Sequence, residues 1–307
     1  MGQNTNILID KYIAYCKVEK GLDPKTLKAY QIDLRQFASF IQSGDGCLSK
    51  ENLQSYLAIM QKTYRIKSIK RKIASLKAFF NYLAYEEILE FNPFTRMRIK
   101  LHEPFILPKV IPLASIDALL QFAYAEIKAT NNTSHSYCSK LRDVAVLELL
   151  FATGVRVSEL CSIRKEYFDL RTGVLKVYGK GAKERLLQVS NPAVLSVCSA
   201  YYAANADAIE KDGWFFVNRL GHQLSDQSVR NMVKRYASQT GIDQHITPHM
   251  FRHTFATLLL EEEVDIRYIQ QLLGHSTITT TQIYTHVSSK KQRDILASKH
   301  PRNKINI

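Results

Sequence analysis

Apolar residues recur every three or four positions from Ile7 to about Leu89, in ILIDKYIAYC, TLKAYQIDLRQFASFI, NLQSYLAIM and KRKIASLKAFFNYLAY. That spacing predicts four amphipathic helices. Asp23-Pro24 opens the second, and GDGCLSKEN separates it from the third, as start and breaker signals do. The period then stops. From Asn92 to Pro112 the chain reads NPFTRMRIKLHEPFILPKVIP, with four prolines and no sustained spacing, which suits an extended linker between domains.

Helical spacing returns over Ile116 to Ile127 and Leu141 to Ala152. Between them KATNNTSHSYCSK, from Lys128 to Lys140, is polar and aperiodic and predicts a loop. VLKVYGKGAKERLLQV alternates on both sides of Gly-Lys-Gly, so it predicts a short β-hairpin with Lys180 at its tip. Helical patterns follow. The expected class is mainly α with a small antiparallel β-sheet, in two domains over 1–100 and 113–307 with a linker over 101–112.

Composition fits that size. The 307 residues are 46% hydrophobic, enough for two cores. The formal charge of +14 attracts polyanions, which leaves nucleic acid or an acidic membrane surface as partners. No apolar run approaches the roughly 20 residues that span a bilayer, and MGQNTNILID lacks the basic-then-apolar plan of a signal peptide. A cytoplasmic protein with no membrane partner is expected. Cys16, Cys47, Cys138, Cys161 and Cys198 are odd in number and scattered, with no C-x-x-C, and read as reduced structural thiols.

The charge is uneven. Residues 1–100 hold 17 Lys and Arg against 9 Asp and Glu, much of the excess in KTYRIKSIKRKIASLK. A single lysine there is usually a solvated face. Lys67, Lys70, Arg71 and Lys77 together crowd about three turns, and phosphate contact explains the group better.

Candidate chemistry sits in the second part. Thr247-Pro248 is a helix start, with Thr capping and Pro in the first turn. Helical spacing then puts His249, Arg252 and His253 on one face, and Phe251, Phe255, Leu258 and Leu259 on the other. The polar face is either an ordinary helix cap or an anion site at a positive helix end. His249 and His253 have the spacing of zinc proteases, but that motif needs Glu directly after the first His, and here Met250 stands there. No metal is expected.

In ATGVRVSEL, Gly154 ends one helix and leaves Arg156 and Glu159 in the first turn of the next. The pair is either a surface ion pair or a guanidinium fixed so that its fork holds two phosphate oxygens. Lys180 is either a solvated tip or a mobile acid reaching a leaving oxygen. Tyr284 alone says little among sixteen tyrosines. In the company of two arginines, two histidines and a lysine it suits phosphoryl transfer from DNA to a protein hydroxyl, with the arginines neutralising the non-bridging oxygens. No cofactor is needed for that.

ATGVRVSEL, VYGKGAKER, PHMFRHTFAT, LLGH and TTTQIYTHV, in this order, resemble the tyrosine site-specific recombinases of the phage-integrase type. The resemblance covers the whole chain and is closest to the bacterial Xer recombinases. It implies a C-shaped two-domain DNA clamp, with a helical, SAM-like core-binding domain before the linker and a tyrosine-recombinase catalytic domain after it. It carries catalytic roles onto Arg156, Lys180, His249, Arg252, His275 and Tyr284; the reading in which Glu159 fixes the Arg156 guanidinium fits that set. It implies cleavage through a 3′-phosphotyrosine and a Holliday junction, on double-stranded DNA bearing a specific site. Four protomers, of one kind or paired with a related recombinase, would exchange their C-terminal segments.

Resolution of chromosome or plasmid dimers and integration or excision of a mobile element both fit that chemistry. A type IB-like topoisomerase and a catalytically silent DNA-binding protein are the alternatives. Two features depart from the family pattern. Glu263 stands where the family usually has glycine, and the polar stretch from Lys128 to Lys140 is longer than a minimal Xer enzyme needs.

Overall fold

The computed structural model describes residues 5–42, 47–101, 108–131, 135–179 and 184–274. The chain divides into two compact units, Met1–Phe105 and Ile106–Ile307, each with its own core. Among the described residues no helix is long and apolar enough to cross a membrane.

The first unit holds α1 (Thr5–Val18), α2 (Pro24–Gln42), α3 (Lys50–Thr63) and α4 (Ile66–Tyr85). Caps set the starts. Asp23 accepts from the Thr26 backbone N–H at 3.0 Å ahead of α2, and Ser49 caps α3 through the Asn52 N–H, each satisfying a donor the helix itself leaves open. The apolar stripes meet in an aromatic core of Tyr12, Phe37, Phe79 and Phe80. A short 3-10 helix, Pro93–Arg96, brings Phe94 against Phe80 with ring centroids 5.5 Å apart, and Met97, Ile99 and Leu101 pack on the same core. The start of the proline-bearing stretch is therefore docked rather than extended. Its far end is tied into the second unit, where the Ile111 N–H donates to Thr254 Oγ1 at 2.8 Å.

The second unit runs α5 (Leu113–Lys128), α6 (His135–Thr153), α7 (Val157–Cys161), strands β1 (Phe168–Asp169), β2 (Val174–Tyr178) and β3 (Glu184–Gln188), then α8 (Pro192–Ala204), α9 (Ala206–Asp212), α10 (Asp226–Gln239), α11 (Pro248–Glu261) and α12 (Ile266–Leu273). The strands form one antiparallel sheet in the order β1-β2-β3, with Leu175 opposite Leu187 and Val177 opposite Arg185. Leu175, Val177 and Leu187 are buried, so one face of the hairpin lies on the core.

The predicted loop from Lys128 to Lys140 is shorter than its polarity suggests, because α6 already starts at His135. Tertiary contacts hold this polar start of α6 as helix. Tyr137 packs against the core, the Cys138 thiol donates to the Ala204 carbonyl at 3.5 Å, and Lys140 reaches Glu126 at 3.0 Å and Thr130 at 2.8 Å. Such contacts outweigh a weak local propensity.

Glu263, at the glycine position of the family pattern, has φ +65°. It completes a Schellman end to α11: its N–H donates to the Leu260 carbonyl at 3.2 Å and that of Val264 to the Leu259 carbonyl at 3.0 Å, with Val264 and Leu259 in one apolar cluster. The turn keeps its left-handed geometry without glycine.

Candidate active site

The site is built where α6 gives way to α7. Gly154 leaves α6 at φ +60°, and a Cβ there would come within 2.5 Å of Phe255 Cδ1 on α11. Glycine is required twice, by backbone and by the close approach of α11. Arg156 then occupies the N-cap of α7, and its backbone N–H donates to Glu159 Oε2 at 2.8 Å. That is half of a capping box, since a guanidinium offers no acceptor for the other half. The Arg156 side chain turns to the same carboxylate, Nη1 to Oε1 at 2.6 Å, and stays 32% exposed while Glu159 is 3% exposed. The anchor is buried and the cation faces out.

A second arginine shares Glu159. Arg185 on β3 donates Nη2 to Oε2 at 2.8 Å and Nη1 to Oε1 at 3.2 Å. Burial works against the Glu159 charge, but the hydrogen bonds and charge of Arg185, followed by those of Arg156, hold its carboxyl below the usual range. Arg185 escaped the sequence reading. Its signal was there, because strand alternation puts position 185 on the same face as Leu187 and opposite Val177, and a charged residue on a core-facing strand position needs a partner.

Helix α11 supplies the rest. Thr247 stands at its N-cap as predicted, but no side-chain cap bond forms; Pro248 fills the first turn. Arg252, buried at 4%, donates Nη1 to the Gly154 carbonyl at 2.9 Å and Nη2 to the Leu273 carbonyl at 2.6 Å. It thereby ties α11 to the α6–α7 junction and to the end of α12.

His249 is exposed in a first turn whose other residues, Pro248, Met250 and Phe251, are buried. Enclosure by surrounding protein, then the charges of Arg252, Arg230 and Arg156, lower its pKa. His253 is held lower still, at about 4, by burial, His249 and Arg252. Both imidazoles are neutral at pH 7. Arg230, on α10 and 3.5 Å from Asp226, is a further cation near His249 that the sequence reading missed; nothing in its local pattern marked it.

Arg156, Glu159, His249 and Arg252 are thus brought together around one positively charged focus. Lys180, His275 and Tyr284 lie outside the described residues. Lys67, Lys70, Arg71 and Lys77 are exposed on α4 of the other unit, and they are not equivalent. Arg71 donates to Asp33 at 2.6 Å, beside the buried Lys72, which reaches the same carboxylate at 3.1 Å. Lys77 lies 5.9 Å from the Phe94 ring centroid.

Two fixed guanidiniums with neutral histidines among them make a site for an anionic, oxygen-rich group, and the surrounding fold is one that known proteins share. Residues 121–291 match the phage integrase family, and residues 9–87 match the N-terminal SAM-like domain of phage integrases. The chain belongs to the phage integrase family, as a tyrosine recombinase and DNA strand-transferring enzyme close to the Xer type. It is 50% identical over 300 residues to a tyrosine recombinase of Agathobacter rectalis, spanning 97% of this chain and 98% of the relative.

Tyrosine recombinase XerD of Listeria innocua is 34% identical over 307 residues, spanning 97% and 99%. The crystal structure of the XerH site-specific recombinase bound to palindromic difH substrate, a post-cleavage complex, matches with a TM-score of 0.74 at 19% identity, over 94% of this chain and 84% of that one. At that identity the likeness is one of fold. The site-specific recombinase reading is supported by these relatives; the topoisomerase and silent-binder alternatives are not.

Proposed function

We propose that this recombinase acts at a specific site in double-stranded DNA, with Tyr284 as nucleophile and Arg156, Lys180, His249, Arg252 and His275 around the scissile phosphate. The observation that carries the reading is the junction at Glu159 and Gly154, which fixes Arg156 and Arg252 from two distant segments beside the same turn. The Tyr284 hydroxyl oxygen attacks phosphorus, the bond to the 5′ oxygen breaks, and a 3′-phosphotyrosine remains. Arg156 and Arg252 neutralise the non-bridging oxygens as charge builds, an effect worth most from preorganised donors.

Neutral His249 accepts or relays the tyrosine proton, His275 supports the phosphate, and Lys180 protonates the departing 5′ oxygen. The 5′ hydroxyl of the partner strand then attacks the phosphotyrosine and frees Tyr284, and a second round resolves the Holliday junction. The ester keeps the energy of the broken bond, so the step needs no ATP, and Arg156 and Arg252 supply the positive charge that a divalent ion would otherwise bring.

Residues 1–100 serve as the core-binding domain, with Lys67, Lys70, Arg71 and Lys77 toward the backbone phosphates, and 113–307 as the catalytic domain beyond the 101–112 linker. Four protomers assemble on paired sites, all of this chain or two of a related recombinase, in the cytoplasm. The test is a nicked suicide duplex carrying the recognition site, resolved under denaturing conditions. The wild-type chain is expected to form a covalent adduct in EDTA, and Tyr284→Phe to bind the duplex and form none. An adduct with the Phe variant overturns the assignment of the nucleophile.

A further inference from the structure

We propose that Arg185 is a positioning residue of the cleavage reaction, a clasp that holds the Arg156 anchor and the end of α12 in one rigid unit. The inference rests on the catalytic roles just assigned and adds a residue outside them. Arg185 is 12% exposed, on the inward face of β3, and its guanidinium uses three edges. Two go to Glu159, as given above, and Nε donates to the Leu272 carbonyl at 2.8 Å. Glu159 is thereby shared: Oε1 accepts from Nη1 of both Arg156 and Arg185, and Oε2 accepts from the Arg156 backbone and Arg185 Nη2. The orientation of Arg156 is set by a carboxylate whose own orientation is set by Arg185.

The third bond reaches the other side of the site. Helix α12 ends at Leu273 with carbonyls that have no partner within the helix. Arg185 takes that of Leu272 and Arg252 takes that of Leu273, so a catalytic and an unassigned arginine grip successive carbonyls. Gly274 then turns at φ +64°, and a Cβ on it would lie 2.9 Å from Arg185 Nη1. The chain leaves α12 against this guanidinium one residue before His275 and ten before Tyr284. One side chain of β3 thus joins the segment holding Arg156 to α12, the helix that precedes the nucleophile in sequence. A lysine cannot replace it, since an ammonium lacks the planar fork that meets a carboxylate and a carbonyl together.

A residue that only adds stability would lower the melting temperature and leave the folded enzyme's chemistry alone. A positioning residue slows the chemical step at saturating DNA and leaves binding in place. The test uses full-length Arg185→Lys, Arg185→Gln, Glu159→Gln and the Arg185→Gln/Glu159→Gln pair on the suicide duplex, at a temperature where circular dichroism shows each folded. Half-site affinity and the single-turnover rate of adduct formation are read separately.

The single Arg185 variants are expected to lose up to about 100-fold in rate, the scale of a small misplacement of reacting groups, with half-site affinity within about twofold of wild type. Adding Arg185→Gln to Glu159→Gln is expected to cost less than about threefold more, as for residues acting as a unit. Arg185→Lys, which keeps a cation beside the buried carboxylate, decides the matter if the Gln variants do not fold. Wild-type rates in a folded Arg185→Lys, a loss of affinity that matches the loss of rate, or effects that multiply in the double variant each overturn the inference. Absence of any adduct with the wild-type chain instead overturns the catalytic assignment on which it rests.

Discussion

Arg252 Nη1 lies 2.9 Å from the Gly154 carbonyl, a hydrogen bond across 98 positions of sequence. It exists because Gly154 can turn left-handed with no side chain in the way of Phe255. Gly154→Ala adds a Cβ at φ +60° and within 2.5 Å of the Phe255 ring. Left-handed strain and overpacking together should cost about 3 kcal/mol. Urea denaturation measures it, and Phe255→Leu in the same chain should return part of the loss. An unchanged midpoint would show that α11 moves away at little cost.

The histidines of α11 make stability depend on pH. His253 falls from 6.5 to about 4 in the fold, and His249 is also lowered. Between those values the unfolded chain binds more protons than the native one. The His253 contribution is therefore complete above pH 6.5 and is lost as pH falls toward 4, about 3 kcal/mol in all. His253→Gln should flatten the stability profile across that window, by up to about 1.4 kcal/mol per pH unit. Parallel profiles for variant and wild type would contradict it.

Glu159 has the opposite chemistry and a lower window. Its pKa is held below 4.5 by Arg185 and Arg156 in spite of burial, so its contribution is present above the unfolded value and disappears as pH falls through the folded one. Glu159→Gln leaves two guanidiniums beside a neutral amide. Removal of a buried ionic partner costs about 3–5 kcal/mol, and the saturating rate of adduct formation should fall with it. A fully active, equally stable Gln variant would mean that Arg156 needs no carboxylate to hold it.

Two helix ends invite stabilisation. Glu263 at φ +65° and Glu87 at φ +56° both occupy the left-handed position of a Schellman turn, the latter with Ile88 N–H on the Leu83 carbonyl at 2.9 Å. Glycine avoids the Cβ penalty there, less its greater entropy when unfolded. Glu263→Gly and Glu87→Gly should each stabilise its own unit by up to about 1 kcal/mol, read by thermal denaturation. A lower melting temperature for both would show that the two glutamates have compensating contacts.

The basic helix should divide into two kinds of residue. Lys67→Gln with Lys70→Gln should reduce the dependence of log K on log salt by about 1.8, at about 0.9 per phosphate contact. Arg71→Gln should in addition destabilise the first unit, since Arg71 is bonded to the buried Asp33. Titration of a fluorescent duplex at several salt concentrations separates them; an unchanged slope for the lysine pair makes that face merely solvated.

Periodicity alone determined the four N-terminal helices and the hairpin, because burial of one face at spacing 3.6 or 2 is a local property of the chain. Residue type and order likewise marked Arg156, His249 and Arg252, since a guanidinium or an imidazole carries its chemistry wherever it is placed. What a charge is paired with is not local. Arg71 and Lys72 look like the other basic residues of α4 until α2 brings Asp33 against them, and the polar start of α6 reads as loop until Lys140 finds Glu126. Arg185 reads as one more hairpin cation until packing sets Glu159 and the Leu272 carbonyl around it. A buried charge is tolerable only with partners in place, and those partners come from segments that only the tertiary fold brings together.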